Sequence, residues 1–116
     1  MIAPALDKYT QDRLLGDVWK RPGLSRRDRS VVTLAALIGR NQTLALSDHL
    51  KLALDQGVKP AEISEIITHL AFYSGWANAM AAVVVTKEVF AERNIGPDRL
   101  PAASPALLPL NEAAEA

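Results

Sequence analysis

A chain of 116 residues is the size of one domain with a thin core. Thirteen Lys plus Arg balance thirteen Asp plus Glu, so no global field draws in nucleic acid or acidic lipid. The absence of cysteine excludes disulfides, thiolate metal sites and thiol catalysis.

The opening MIAPALDKYT lacks a charged region followed by an apolar run, so it does not read as a signal peptide. No apolar segment approaches the ~20 residues of a membrane span. A cytoplasmic protein without a membrane partner is the expectation. Helical periodicity dominates and strand alternation is missing, which predicts an all-α fold. Hydrophobic residues reach 49% with only 5% aromatic, a balance that suits closely packed helices.

A first helix is predicted over residues 6–15; Gly16 weakens it and KRPGL breaks the chain. The basic cluster Lys20, Arg21, Arg26, Arg27, Arg29 is interrupted by Asp17 and Asp28. It reads as a solvated face or a carboxylate-binding site rather than a nucleic-acid contact. Ser25 is placed to cap a second helix, with Asp28 three residues on in a capping-box pattern. That helix runs to residue 39 or 40 and carries no charge from Val31 to Gly39. An all-round apolar helix is central or lies between subunits.

A third helix is predicted over 42–56, stopped by Gly57. Pro60 opens a fourth at its first position, with Glu62 in the first turn and Ile63, Ile66, Ile67, Leu70 and Ala71 as the buried stripe. YSGWANAM marks a break before a fifth helix that ends near Arg93, and its MAAVVV segment is again apolar all round. Two such helices are hard to cover from within, so an obligate homo-oligomer is expected. Gly96 and Pro97 divide the helical domain, 1–96, from a Pro/Ala-rich arm, 97–116. On that arm Leu107, Leu108 and Leu110 are available to dock on a neighbour.

The strings GDVWKRPGLSRRDRSVVTLAALIGR, HLKLALDQGVKPAEISEIITHLAFYSGWANAM and KEVF resemble the carboxymuconolactone decarboxylase family. DVWKRPGLSRRDRS and ALDQGVKPAEISEIITHLAFYSG are the specific parts. The resemblance implies the all-helical alkyl hydroperoxidase D-like fold, here about five helices, assembled as a trimer or hexamer. It also offers two chemistries. The peroxidase branch uses a Cys-x-x-Cys-x-x-x-His pattern with an upstream glutamate. Here the cysteine places fall at Gln42 and Ala45, the histidine place at His49 and the glutamate place near Ser30. A thiol peroxidase is thereby excluded, since Gln and Ala form no thiolate.

The decarboxylase branch keeps the histidine without the cysteines. The resemblance implies release of carbon dioxide from a γ-carboxymuconolactone-like lactone acid in aromatic catabolism. Two departures leave the substrate open: Val84 stands where decarboxylases often carry a further histidine, and Ala77 where they carry proline.

Such a reaction needs no metal or organic cofactor, because the conjugated lactone is itself the electron sink. The protein must hold the carboxylates, stabilise an oxyanion and deliver one proton. His49, with small Ala45 one turn before it, is the first candidate acid; its plainer role is a packing-edge histidine. His69, with Glu65 one turn before and Tyr73 one turn after, is the second, and an exposed i,i+4 pair is its plainer role. If the third and fourth helices form a hairpin, both imidazoles lie roughly 15 Å from the turn and face each other. Arg29 and Arg40, with Arg26 behind, are the candidate carboxylate forks; a pairing of Arg29 with Asp17 or a glutamate is equally open. Trp19, Tyr73 and Trp76 are candidate pocket walls, or simply core or interface aromatics. A different class also fits the missing Cys and Glu: a non-catalytic helical oligomer that binds a small ligand or a protein. A related lactone isomerase or hydrolase is the third reading.

Overall fold

The helices form where the sequence can both start and stop them. A computed structural model of the chain describes residues 2–109. α1, Pro4–Tyr9, begins two residues earlier than periodicity suggests, because Pro4 supplies a preset φ at the first position. It widens into π-type turns over Thr10–Leu15, where the Thr10 hydroxyl donates to the Leu6 carbonyl at 2.9 Å. No residue of this N-terminal helix is buried. A short 3₁₀ turn, Val18–Lys20, then leads to KRPGL.

α2, Arg26–Gly39, starts at Ser25, whose Oγ accepts from the Asp28 N–H at 3.0 Å. Only half of the expected capping box forms, because the Asp28 carboxylate turns to Arg27. α3 spans Thr43–Asp55. Gly57 ends it at φ +95°, in the left-handed region that glycine enters freely, while the Val58 N–H reaches the Ala53 carbonyl at 2.9 Å. α4, Pro60–Ser74, carries a stronger N-terminal lock: Glu62 Oε1 accepts from the Lys59 N–H at 2.9 Å. The break in YSGWANAM is a single residue, Gly75 at φ +105°, and α5 follows at once over Trp76–Glu92. Asn78 fixes this corner by donating to the carbonyls of both Gly39 and Ser74 at 3.1 Å, tying α5 to the end of α2.

The core lies between α2, α3, α4 and α5. Leu34, Leu50, Ala53 and Ile63 are wholly buried, and Ile38, Leu46, Val58, Val89 and Ala82 nearly so. Small Ser30, Ala53, Ala79 and Ala82 let the axes approach closely. In the predicted α4 stripe Ile63 and Ile67 are buried, and Ile66, Leu70 and Ala71 pack against their edge.

The hairpin expected of α3 and α4 does not form. α3 packs on α2 and α5, whereas α4 packs on α5 and α2, so α3 and α4 stand on opposite corners of the bundle. The connection around Gly57 carries the chain across the end of the bundle instead of back along α3.

The all-apolar helices are only partly covered from within. On α2, Leu34 and Ile38 are buried but Val32 remains 59% exposed. On α5, Ala82 and Val89 are buried while Met80, Val83 and Val84 are exposed. Leu107 and Leu108 are exposed too, and Leu110 lies outside the described residues. No helix among the described residues is long and apolar enough to cross a membrane.

Candidate active site

His49 is half-buried on α3, and helical phase shows which way it faces. Lys51 pairs with Glu92 at 2.9 Å and Asp55 with Arg93 at 2.8 Å, so that edge of α3 lies against α5. His49 precedes Lys51 by two positions, roughly 200° around the helix. It therefore lies on the edge toward α3's other neighbour, α2. Leu46 and Leu50, which flank its position in sequence, fill the core stripe between these two edges. The small Ala45 expected beside His49 is exposed.

Arg29 lies on α2 one turn before Thr33 and is half-buried. Its Nη2 donates to the Arg21 carbonyl at 3.1 Å, while its Nε is buried without a hydrogen-bond partner. Among the described residues it pairs with neither Asp17 nor a glutamate. Trp19, half-buried, sits on the 3₁₀ turn that packs against α2 near the same end. Arg40 and Arg26, at the two ends of α2, are exposed. Ser30, near which the peroxidase branch's glutamate was expected, is buried with an unpartnered Oγ.

His69 occupies α4, not α3's flank. The Glu65–His69 pair does not form: both side chains are exposed, and the imidazole stacks on Tyr73 with ring centroids 4.7 Å apart. Tyr73 is itself 78% exposed, and Trp76 meets Phe72 edge-to-face at 5.7 Å with most of its surface open. The two histidines thus lie on helices at opposite corners of the bundle, each packed against both α2 and α5.

Arg27, of the basic cluster, Lys51 and Arg93 are the cations that pair with carboxylates across helices. Arg27 pairs with Glu62, joining the starts of α2 and α4. The Lys59 N–H, and then Arg27, hold the Glu62 carboxyl below its ordinary value. The i to i+3 spacing of Lys59 and Glu62 was the available signal. No set of three or more His, Asp or Glu side chains among the described residues is arranged to hold a metal.

An apolar hollow lies elsewhere. A groove of about 410 Å³ runs between α4, α5 and residues 95–100, and it includes neither histidine. In one chain, then, Arg29 lies on α2 with Arg40 at its end, His49 lies on the side of α3 toward α2, and His69 and Tyr73 lie exposed on α4.

Comparison with known proteins supplies the remaining constraint. The model of the carboxymuconolactone decarboxylase family matches residues 4–88. A 4-carboxymuconolactone decarboxylase of Acinetobacter baylyi is 38% identical over 85 residues, covering 73% of this chain and 63% of that protein. A nitrosuccinic acid decarboxylase of Metarhizium robertsii is 41% identical over 73 residues, covering 63% of this chain and 51% of that one. The chain thus spans between about half and two-thirds of the length of these relatives.

Proposed function

This chain belongs to the carboxymuconolactone decarboxylase family, and from that membership we propose that it releases carbon dioxide from a small dicarboxylic acid carrying its own electron sink. The names of the two relatives support this reading. Carboxymuconolactone and nitrosuccinic acid look unlike, yet each carries two carboxyls and an electron-withdrawing group, a lactone in one and a nitro group in the other. One carboxyl is lost and the other serves as a handle.

The steps balance without a redox partner. The bond between carbon and carboxylate breaks, its electron pair passes into the lactone or nitro group, and carbon dioxide departs. A proton from the protein then completes the product. His49 is the proposed donor, worth about 10²- to 10⁴-fold in rate. Arg29 is the proposed carboxylate fork: a half-buried guanidinium with an unpartnered Nε and no carboxylate partner among the described residues is the observation that carries this assignment. Arg40 is a second cation for the retained carboxyl. His69, with Glu65 nearby, is the alternative acid, and Trp19, Tyr73 and Trp76 are the proposed walls. The reaction itself calls for no cofactor.

Water must still be kept out, and a second copy is the proposed means. Val32 at the centre of the α2 face and Val84 on α5 are 59% and 61% exposed, an arrangement suited to contact between copies. A homo-oligomer, trimer or hexamer, would enclose the α2 surface and shield the imidazole.

Carbon dioxide release tests the reading. The protein should act on lactone or nitro dicarboxylic acids and leave plain succinate untouched, because succinate has no electron sink. Equal inertness toward every acid of this class would contradict it. The open surface around His49 and the exposed Phe72, Tyr73 and Trp76 favour one other reading, a non-catalytic oligomer that binds a ligand or protein. Saturable binding of these acids without turnover is what it predicts.

A further inference from the structure

We infer that the groove between α4, α5 and residues 95–100 is a second binding site, separate from the α2 surface, for a monocarboxylic acid with an apolar body. Its walls are Ile67, Val83, Phe90, Ile95 and Leu100, and its volume, about 410 Å³, is within the range of small-molecule sites. Three polar side chains, Ser64, Thr86 and Lys87, break the apolar lining, and the last two carry the argument. Thr86 is only 6% exposed, yet its Oγ1 has no hydrogen-bond partner, although buried hydroxyls are nearly always paired. Lys87 follows it in sequence and also lines the groove, with no carboxylate partner among the described residues.

Together these features define one ligand chemistry. The apolar walls receive a hydrocarbon or aromatic body, the exposed ammonium pairs with one oxygen of the carboxylate at the rim, and the Thr86 hydroxyl donates to the other. A neutral hydrocarbon would leave both polar groups unused. A dicarboxylic acid would bury a second charge against apolar walls at high cost. None of the residues proposed for the reaction lines the groove, and Lys87 stands on the flank where α5 meets α4, whereas α5 meets α3 through Glu92 and Arg93.

Titration of ¹⁵N-labelled full-length protein with decanoate, and separately with decanol, tests the inference. Decanoate should give saturable shifts at the amides of Ser64, Thr86, Lys87, Ile95 and Leu100. Decanol should bind at least several-fold more weakly. Lys87→Gln, at an exposed position, should weaken decanoate about threefold to tenfold and leave decanol unchanged. Val83→Trp should fill the groove and abolish both. Equal affinity for acid and alcohol, shifts mapping elsewhere, or no binding at millimolar acid would each overturn the site. So would groove resonances that shift on dilution without any acid, since a second copy would then be the occupant.

Discussion

Glu62 shows how much one side chain can join. It locks the start of α4 through the Lys59 N–H and pairs with Arg27 of α2, and both contacts favour its charged form. A carboxyl depressed in the folded state stabilises the protein above its unfolded value and loses that contribution as pH falls through the folded one. Glu62→Gln should therefore melt lower than wild type at neutral pH, by roughly 2 to 5 °C. The gap should close as pH drops from about 4.3 downward. Thermal melts across pH check this, and a gap that persists at low pH would show that the carboxylate charge is not the cause. Arg29 makes a different prediction. Arg29→Lys keeps the charge but loses the fork, so it should raise KM for a dicarboxylic substrate about tenfold, with kcat changing less. Steady-state kinetics separate the two effects, and an unchanged KM would remove Arg29 from substrate binding.

Among the elements, α3 and α4 hold the lesson. Their existence and ends were readable from the sequence: Gly57 requires positive φ, Pro60 sits at a helix start, and the Ile63–Ile67 spacing marks one buried face. Their mutual placement was not. Periodicity tells which face of a helix is buried but not which neighbour covers it, so the expected hairpin gave way to a crossing over the end of the bundle. Two site expectations fell with that geometry. His49 and His69 do not face each other, and His69 found Tyr73 rather than Glu65 as its partner one turn away. The exposure of Ala45, Tyr73 and Trp76 was equally hidden, because an apolar or aromatic residue looks the same in sequence whether its cover comes from its own chain or another. The core itself is easier to test. Leu50 on α3 is wholly buried, so Leu50→Ala should cost about 2 to 5 kcal/mol by chemical denaturation. A loss below 1 kcal/mol would mean that the site collapses freely or is not packed as described.

At the scale of the molecule, shape and surface agree. The radius of gyration is 16.1 Å, against about 13 Å for a compact chain of this length. The N-terminal helix contributes to the excess: it packs on the Val18–Lys20 turn and exposes Leu6, Tyr9, Leu14 and Leu15. Together with Val32, Met80 and Val84 these are apolar surfaces that a second copy would cover. Sedimentation at micromolar concentration should show an oligomer, and Val84→Lys should shift it toward smaller species. A folded wild-type monomer would contradict the enclosed reaction surface.

One measurement bears most directly on the account: carbon dioxide release from a lactone or nitro dicarboxylic acid by wild type and by His49→Ala, with sedimentation run on both. The account predicts at least a hundredfold fall in turnover with assembly unchanged. Full turnover in an intact His49→Ala assembly would contradict it.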